Sequence, residues 1–252
     1  MFRMTKIVSL GLGTLLASTL AQGAISMKIE PTSKKETNAG ITAASAYMSR
    51  GKTLNYHSVM KTFATSKTGP FTLGAELITP SNALEGEMPR ELDVWASFGV
   101  NYGLLSASAT AAAYTYPGAA AEPDSEISLS LGLDTILSPR IKAYYGVDGG
   151  AKDSIYVQGD VSQKVLKKGD FSLALDGVTG YEDKARNKDV DEGEEKISSP
   201  VGLYFVSVGS TASYGVVSLS ASYVVSLNEE ILDLDKGNKR KYVVALGASD
   251  TF

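Results

Sequence analysis

Short runs that alternate apolar and polar residues recur along this chain, and none of its apolar stretches is long enough to cross a membrane as a helix. Ile127, Leu129, Leu131 and Leu133 alternate with Glu126, Ser128, Ser130, Gly132 and Asp134. Leu92, Val94, Ala96, Phe98 and Val100 alternate with Glu91, Asp93, Ser97 and Asn101. Val217, Leu219, Ala221, Tyr223 and Val225 alternate with Ser218, Ser220, Ser222 and Ser226. A period of two puts successive side chains on opposite faces of a sheet. Every such strand has an apolar face to cover. A soluble sandwich covers it with a protein core; a membrane barrel covers it with lipid and turns the polar set toward the lumen.

Twelve strands are predicted, at about 38–50, 55–66, 70–80, 89–103, 104–116, 124–136, 139–148, 152–166, 169–181, 199–212, 214–227 and 241–252, with ten as the nearest alternative count. The connections alternate in length. Short ones are Ser66 to Pro70, Tyr102 to Leu104, Leu137 to Pro139, Lys167 to Asp170 and Ala212 to Gly215. The others include Pro80 to Met88, Pro117 to Asp124, Glu182 to Ser198 and Asn228 to Arg240, and most of these are long. Bacterial barrels have short periplasmic turns, longer outer loops and an even strand count. With the N-terminus in the periplasm, every short turn falls inside and every long loop outside. The expected fold is therefore all-β: a transmembrane antiparallel up-and-down β-barrel of about 12 strands.

The start of the chain agrees with export to that compartment. Arg3 and Lys6 precede an apolar stretch of 15 residues, Ile7 to Ala21, followed by small residues. This is the plan of a secretory signal, read as residues 1–23, and its apolar core is shorter than the roughly 20 residues of a spanning helix. Residues 24–37 read as a polar, Lys-rich periplasmic lead-in, and 38–252 as the barrel. Loss of Arg3 and Lys6 takes the formal charge from −4 to −6. An acidic surface argues against a nucleic-acid partner, which needs basic groups to displace counterions. The absence of cysteine excludes disulfides and thiolate metal sites.

Lipid bars charge from the outer face, where Arg or Lys at the midplane costs about 2–4 kcal/mol. Lys61 is therefore expected to point inward, although the register of the second strand is open. Alternation places Glu76, Glu91, Asp93, Glu126, Asp134, Asp148, Asp160 and Asp176 in the lumen with Arg140, Lys142 and Lys164; Arg50 is a further candidate. Arg140 and Lys142 are expected to pair with carboxylates across it, since stripping a charge of water costs several kcal/mol. The acidic excess would favour cations and small neutral solutes. Tyr47, Tyr56, Tyr114, Tyr116, Tyr144, Tyr145, Tyr181, Tyr223 and Tyr242 fall near predicted outer ends. Phe71, Tyr102, Phe171, Tyr214 and Phe252 fall near inner ends, which suits two interfacial belts. A terminal Phe252 on an alternating strand suits a signal to barrel-insertion machinery.

Catalysis finds little support. The single histidine, His57, adjoins Ser58, but neighbours on a strand point to opposite faces and do not converge as a nucleophile and base. No Gly-rich phosphate loop, metal-ligand cluster or G-x-S-x-G elbow is present, so no cofactor or metal is expected. The acidic run Asp189 to Glu195 offers hard oxygen ligands without EF-hand spacing and reads as a solvated loop. The mixed-charge segment Asp233 to Lys241 would meet lipopolysaccharide phosphates at the cell surface.

Two motifs carry a resemblance. Tyr47-Met48-Ser49-Arg50-Gly51 looks like the Y-x-x-R-G element at the first hairpin of a family of uncharacterised bacterial outer-membrane barrels. Leu133-Asp134-Thr135-Ile136-Leu137-Ser138-Pro139, followed by Ala143-Tyr144-Tyr145-Gly146-Val147-Asp148, is similar to that family's central hairpin, which often has Asp where this chain has Gly146. The resemblance covers about residues 43–165 and implies an outer-membrane barrel without implying an activity. Three functions then stand in order: a narrow passive channel for small solutes or cations, a structural or surface-interaction barrel with a plugged lumen, and a secreted soluble all-β protein.

Overall fold

The computed structural model describes residues 35–50, 52–82, 89–182, 202–226 and 242–252. Its strands are β1 (Lys35–Ala44), β2 (Tyr47–Ser49), β3 (Lys52–Asn55), β4 (Val59–Thr68), β5 (Phe71–Pro80), β6 (Glu91–Tyr102) and β7 (Leu105–Thr115). They continue with β8 (Asp124–Leu133), β9 (Arg140–Asp148), β10 (Ile155–Lys168), β11 (Phe171–Glu182), β12 (Gly202–Tyr214), β13 (Val217–Ser226) and β14 (Tyr242–Thr251). All but β2 and β3 form one closed antiparallel barrel in which β1 pairs with both β14 and β4. The barrel thus has the twelve strands that the alternation predicts. The proposed signal, the loop 183–201 with its acidic run and the loop 227–241 lie outside the described residues.

Closure is made at the chain's two ends. Asn38 to Ala44 pair with Thr251 to Ala245, and Thr37 and Phe252 exchange both backbone hydrogen bonds, at 3.1 and 2.7 Å. Strand β1 therefore begins three residues before its expected start, because its first residues pair Lys35 with Thr68 and Thr37 with the last residue. Both chain ends of the barrel lie at the end that carries the short turns.

Four of the five connections there are two-residue turns: Gly69-Pro70, Gly103-Leu104, Gly169-Asp170 and Gly215-Val216. The first residue of each is a glycine with φ between 56° and 58°. This is the arrangement of a type II′ turn, whose twist matches the flanking strands and whose first central residue is glycine. The fifth, from Asp134 to Pro139, is longer and holds Ser138 at φ 38°. None of the connections between barrel strands at the opposite end is a two-residue turn; 149–154 equals 134–139 in length and the rest are longer.

The register separates two faces. Leu129, Leu131, Leu133, Ile141, Leu219 and Leu246 point outward and are exposed, Leu129 to 67 %. Glu126 and Ser128, one residue out of phase, are buried on the inner face. The aromatics divide accordingly. Tyr145, Tyr181, Tyr223 and Tyr242 are exposed toward the long-loop end, and Phe71, Tyr102, Tyr214 and Phe252 toward the short-turn end. Tyr47, Tyr114 and Tyr144 do not join the belt. They share the inner side with Glu126, because burial against polar groups inside gives their hydroxyls partners that lipid does not.

The first predicted strand is corrected most. It does not run to residue 50: β1 stops at Ala44, and β2 and β3 form a separate two-stranded hairpin between β1 and β4. Ser45 closes the corner, its N–H donating to the Val244 carbonyl at 2.9 Å while its hydroxyl accepts from the Val244 N–H at 3.1 Å.

A glycine at the seam yields a test. A Cβ on Gly40 would lie 2.7 Å from the Ala248 carbonyl oxygen, which is backbone, and 2.7 Å from the Phe63 ring. On Gly99 it would meet nothing closer than 3.6 Å. Gly40→Val is expected to cost about 1–3 kcal/mol and Gly99→Ala less than about 0.5 kcal/mol, measured by urea unfolding of the refolded barrel.

Candidate functional site

The inner face changes character along the barrel. In its long-loop half, Ala44, Val59, Ile78, Glu91, Glu126, Ser128, Tyr156, Phe205 and Val224 are buried. In its short-turn half, inward-facing residues such as Lys164 and Lys167 remain exposed. Twelve strands are too many for the wall's own side chains to fill the lumen, as they do in eight-stranded barrels. The β2–β3 hairpin supplies the missing volume.

The hairpin touches walls on several sides. Tyr47 packs with Ala44, Val59 and Ile78, against which Val243 and Ala245 also lean. Met48 packs against a second cluster made by Tyr156, Phe205 and Val224. Gly180 makes room for that cluster: a Cβ there would collide with the Phe205 ring and the Tyr156 hydroxyl.

Arg50, at the hairpin's turn, makes the polar contact. Its Nη2 donates to both Glu126 oxygens, at 2.5 and 2.6 Å, and the guanidinium stacks on Tyr144 and Tyr156, 4.4 and 4.9 Å from the ring centroids. Glu126 also accepts from the Tyr114 hydroxyl at 2.6 Å. Burial lowers the Arg50 pKa, but the Glu126 charge and hydrogen bonds outweigh it, so the net shift is upward and the guanidinium stays cationic. Arg50 holds φ at 50°, a left-handed conformation that a non-glycine residue rarely adopts. The ion pair and the two rings offset that strain.

The hairpin's return is fixed by amides. The buried Asn55 donates through Nδ2 to Asn82 Oδ1 at 2.8 Å and accepts the His57 backbone N–H at 2.8 Å. His57 itself is exposed at the long-loop end.

Next to Tyr47 lies an acidic group. Lys61 points inward, as the cost of burying it in lipid requires. Its Nζ is 3.7 Å from Glu76 and 4.5 Å from the centre of the Tyr47 ring. Glu76 and Asp93 are cross-strand partners, and Glu91 lies one inward position from Asp93. Burial first, then the charges of Glu91 and Asp93, push the Tyr47 phenol upward, so it remains a neutral donor, with Glu91 as its partner.

The remaining sequence candidates fall elsewhere. Lys142, Asp160, Lys164 and Asp176 occupy inward register positions, and Arg140 lies opposite Gly132 near the short-turn end. Asp134 does not line the lumen: β8 ends at Leu133, and Asp134 is exposed in the following turn, its N–H bonded to the Leu104 carbonyl. A register shift between Ser125 and Glu126 leaves Asp148 opposite Ser125 and exposed. The expected pairing of Arg140 and Lys142 with carboxylates is also absent among the described residues. Lys142 stacks instead on Tyr144, at 4.4 Å. Glu126 is taken by Arg50, and Asp160, opposite Arg140 in the register, makes no ion pair with either basic residue. Alternation finds the wall residues. It cannot find Arg50's role, since a loop folded inward has no period; the Y-x-x-R-G motif was the available signal.

A closed twelve-stranded barrel, apolar outside and polar inside, with both ends of the barrel at the short-turn rim, has the architecture of an outer-membrane porin. No protein-family model matches the chain, and no curated protein matches its sequence. Among solved structures, a membrane protein from work on in-meso crystallization matches with a TM-score of 0.52 and 8% identity, covering 86% of this chain and 84% of its own. The KdgM porin matches with a TM-score of 0.51 and 9% identity over 86% of this chain and 99% of its own. The same figures hold for the KdgM porin in complex with disordered oligogalacturonate. These are likenesses of fold.

Removing Arg50 strands a buried carboxylate, a change that costs about 3–5 kcal/mol. Arg50→Ala is expected to speed amide exchange of residues 47–55 by about two orders of magnitude while the barrel strands stay protected. Arg50→Lys should restore protection only in part, because lysine lacks the planar fork and the ring stacking. Hydrogen-exchange mass spectrometry of the refolded protein reads both.

Proposed function

We propose that the protein is an outer-membrane barrel that serves as a narrow passive channel for small polar solutes and cations. Its short-turn end would face the periplasm and its long loops the cell exterior, next to lipopolysaccharide. The inward-folded hairpin carries this reading: it narrows one half of a lumen whose other half is open and polar. An apolar outer face of exposed leucines and two flanking aromatic groups suit lipid. The porin-like fold agrees with that class. At the constriction, Glu76, Glu91 and Asp93 outnumber Lys61, and an acidic rim lowers the barrier for cations. Phe252, exposed at the short-turn end, would serve recognition by insertion machinery. No side-chain arrangement described here recommends catalysis.

A second reading, a structural barrel with a plugged lumen, is favoured by the apolar packing of Tyr47 and Met48 on different walls. Planar bilayers separate the two. A channel gives small single-channel steps with a cation-favouring reversal potential in a salt gradient, and Arg50→Ala raises its conductance by about twofold or more. A plugged barrel conducts only as Arg50→Ala. Silence in both proteins overturns the channel.

Membrane residence has its own check in lipid vesicles. Leu129→Arg, on the outer face, should lower unfolding free energy by about 2–4 kcal/mol. Ser130→Arg, on the inner face of the same strand, should cost less than about 1 kcal/mol. Equal costs would argue that both faces meet water.

A further inference from the structure

The balance of charge changes along the lumen: carboxylates outnumber Lys61 and Arg50 toward the long-loop end, and basic residues outnumber Glu36, Asp160 and Asp176 toward the other. Toward the long-loop end stand Glu76, Glu91, Asp93, Asp124, Glu126 and Glu182. Toward the short-turn end the inward positions hold Lys67, Arg140, Lys142, Lys164 and Lys167, with Glu36 opposite Lys67, Asp160 opposite Arg140 and Asp176 one inward position from Lys164. A hairpin plug accounts for the first group. Nothing derived so far uses the second.

Two of these cations border a cavity. A space of about 360 Å³ is lined by Lys67, Arg140, Thr72, Ser97, Ser108 and Ser130, among others, and it shares Arg140 with a second cavity of about 320 Å³ at the rim, where Asp134 is found. Its size is within the about 300–1,000 Å³ of ligand sites. Neither Lys67 nor Arg140 makes a hydrogen bond or ion pair among the described residues. Arg140 packs across the wall at Gly132: a Cβ there would meet its Cγ and Nε at an ordinary 3.7 Å and would crowd the Ser106 hydroxyl at 2.7 Å. Uncommitted cations beside a bank of hydroxyls match a solute that carries one negative group and several hydroxyls. The cations take the charge, and serine and threonine exchange hydrogen bonds with the rest.

We infer that the short-turn half of the lumen is a binding vestibule for small polyhydroxylated anions, a sugar bearing a carboxylate or a phosphate. The site sits on the periplasmic side if the orientation proposed above holds, but its chemistry does not require that the barrel conduct.

The chain's single tryptophan reports on it. Trp95 faces the lumen over Gly74 and precedes the cavity residue Ser97 by two positions on the same face. Full-length protein in neutral detergent is titrated with gluconate, glucose 6-phosphate and glucose while Trp95 emission is followed. Saturable changes with one or both anions, about tenfold tighter than with glucose, are expected; which anion binds better distinguishes carboxylate from phosphate. Binding should weaken as salt rises from about 50 to about 500 mM, and by about tenfold in Lys67→Gln and in Arg140→Gln. Equal responses to the three solutes, no response to any, or unchanged affinity in both variants overturns the site. The comparison among solutes needs no variant to fold. A barrel silent in bilayers that still binds gluconate fails as a channel and keeps the vestibule; a conducting barrel that treats the three solutes alike does the reverse.

Discussion

The hydrogen-bonded seam between β1 and β14 is the contact on which everything else depends. An open sheet would leave two rows of unpaired N–H and C=O groups, each costing several kcal/mol in hydrocarbon. Pairing Asn38 through Ala44 with Thr251 through Ala245 removes both rows at once and creates an interior. Only with that interior do the two faces of each strand acquire different partners. Leu129 can then be exposed without penalty in lipid, and Glu126, three positions back and on the other face, can be buried without meeting lipid. Small residues keep the seam tight, since Gly40 has no room for a side chain between Phe63 and the neighbouring backbone.

Much of this was legible in the amino-acid order because barrels are governed by a short period. Twelve alternating segments, a Lys61 turned inward, and short connections at one end follow from local rules that do not depend on distant residues. The regular Gly-x turns, with Gly69, Gly103, Gly169 and Gly215 in equivalent places, are written as plainly as the strands they join. Tyr and Phe at strand ends were read as two belts, and the exposed members agree. Tyr114 and Tyr144 departed because their inner-face partners hold them there: Glu126 on the neighbouring strand for Tyr114, and Arg50, distant in sequence, for Tyr144.

The site was less legible for the same reason. Glu76, Asp93 and Glu126 could be placed on a face by counting, but what each one touches could not. Tyr47 to Asn55 looks like the end of one strand and the start of another until the wall it docks on is known. Its register carries no lipid-facing row, and its apolar residues alternate for contact with two different sides of a lumen. The pairing of Arg140 failed as an expectation because proximity in the wall was taken for contact. Asp160 stands opposite Arg140 in the register without an ion pair between them, and Glu126 is claimed by an arginine on the hairpin.

The hairpin leaves the wall between β1 and β4, and β1 is also half of the seam. Its anchor, Glu126, lies on β8, across the lumen from the pair it leaves. One strand is thus held from two directions: its backbone is zipped to β14, and the chain that follows it is latched across the lumen by Arg50.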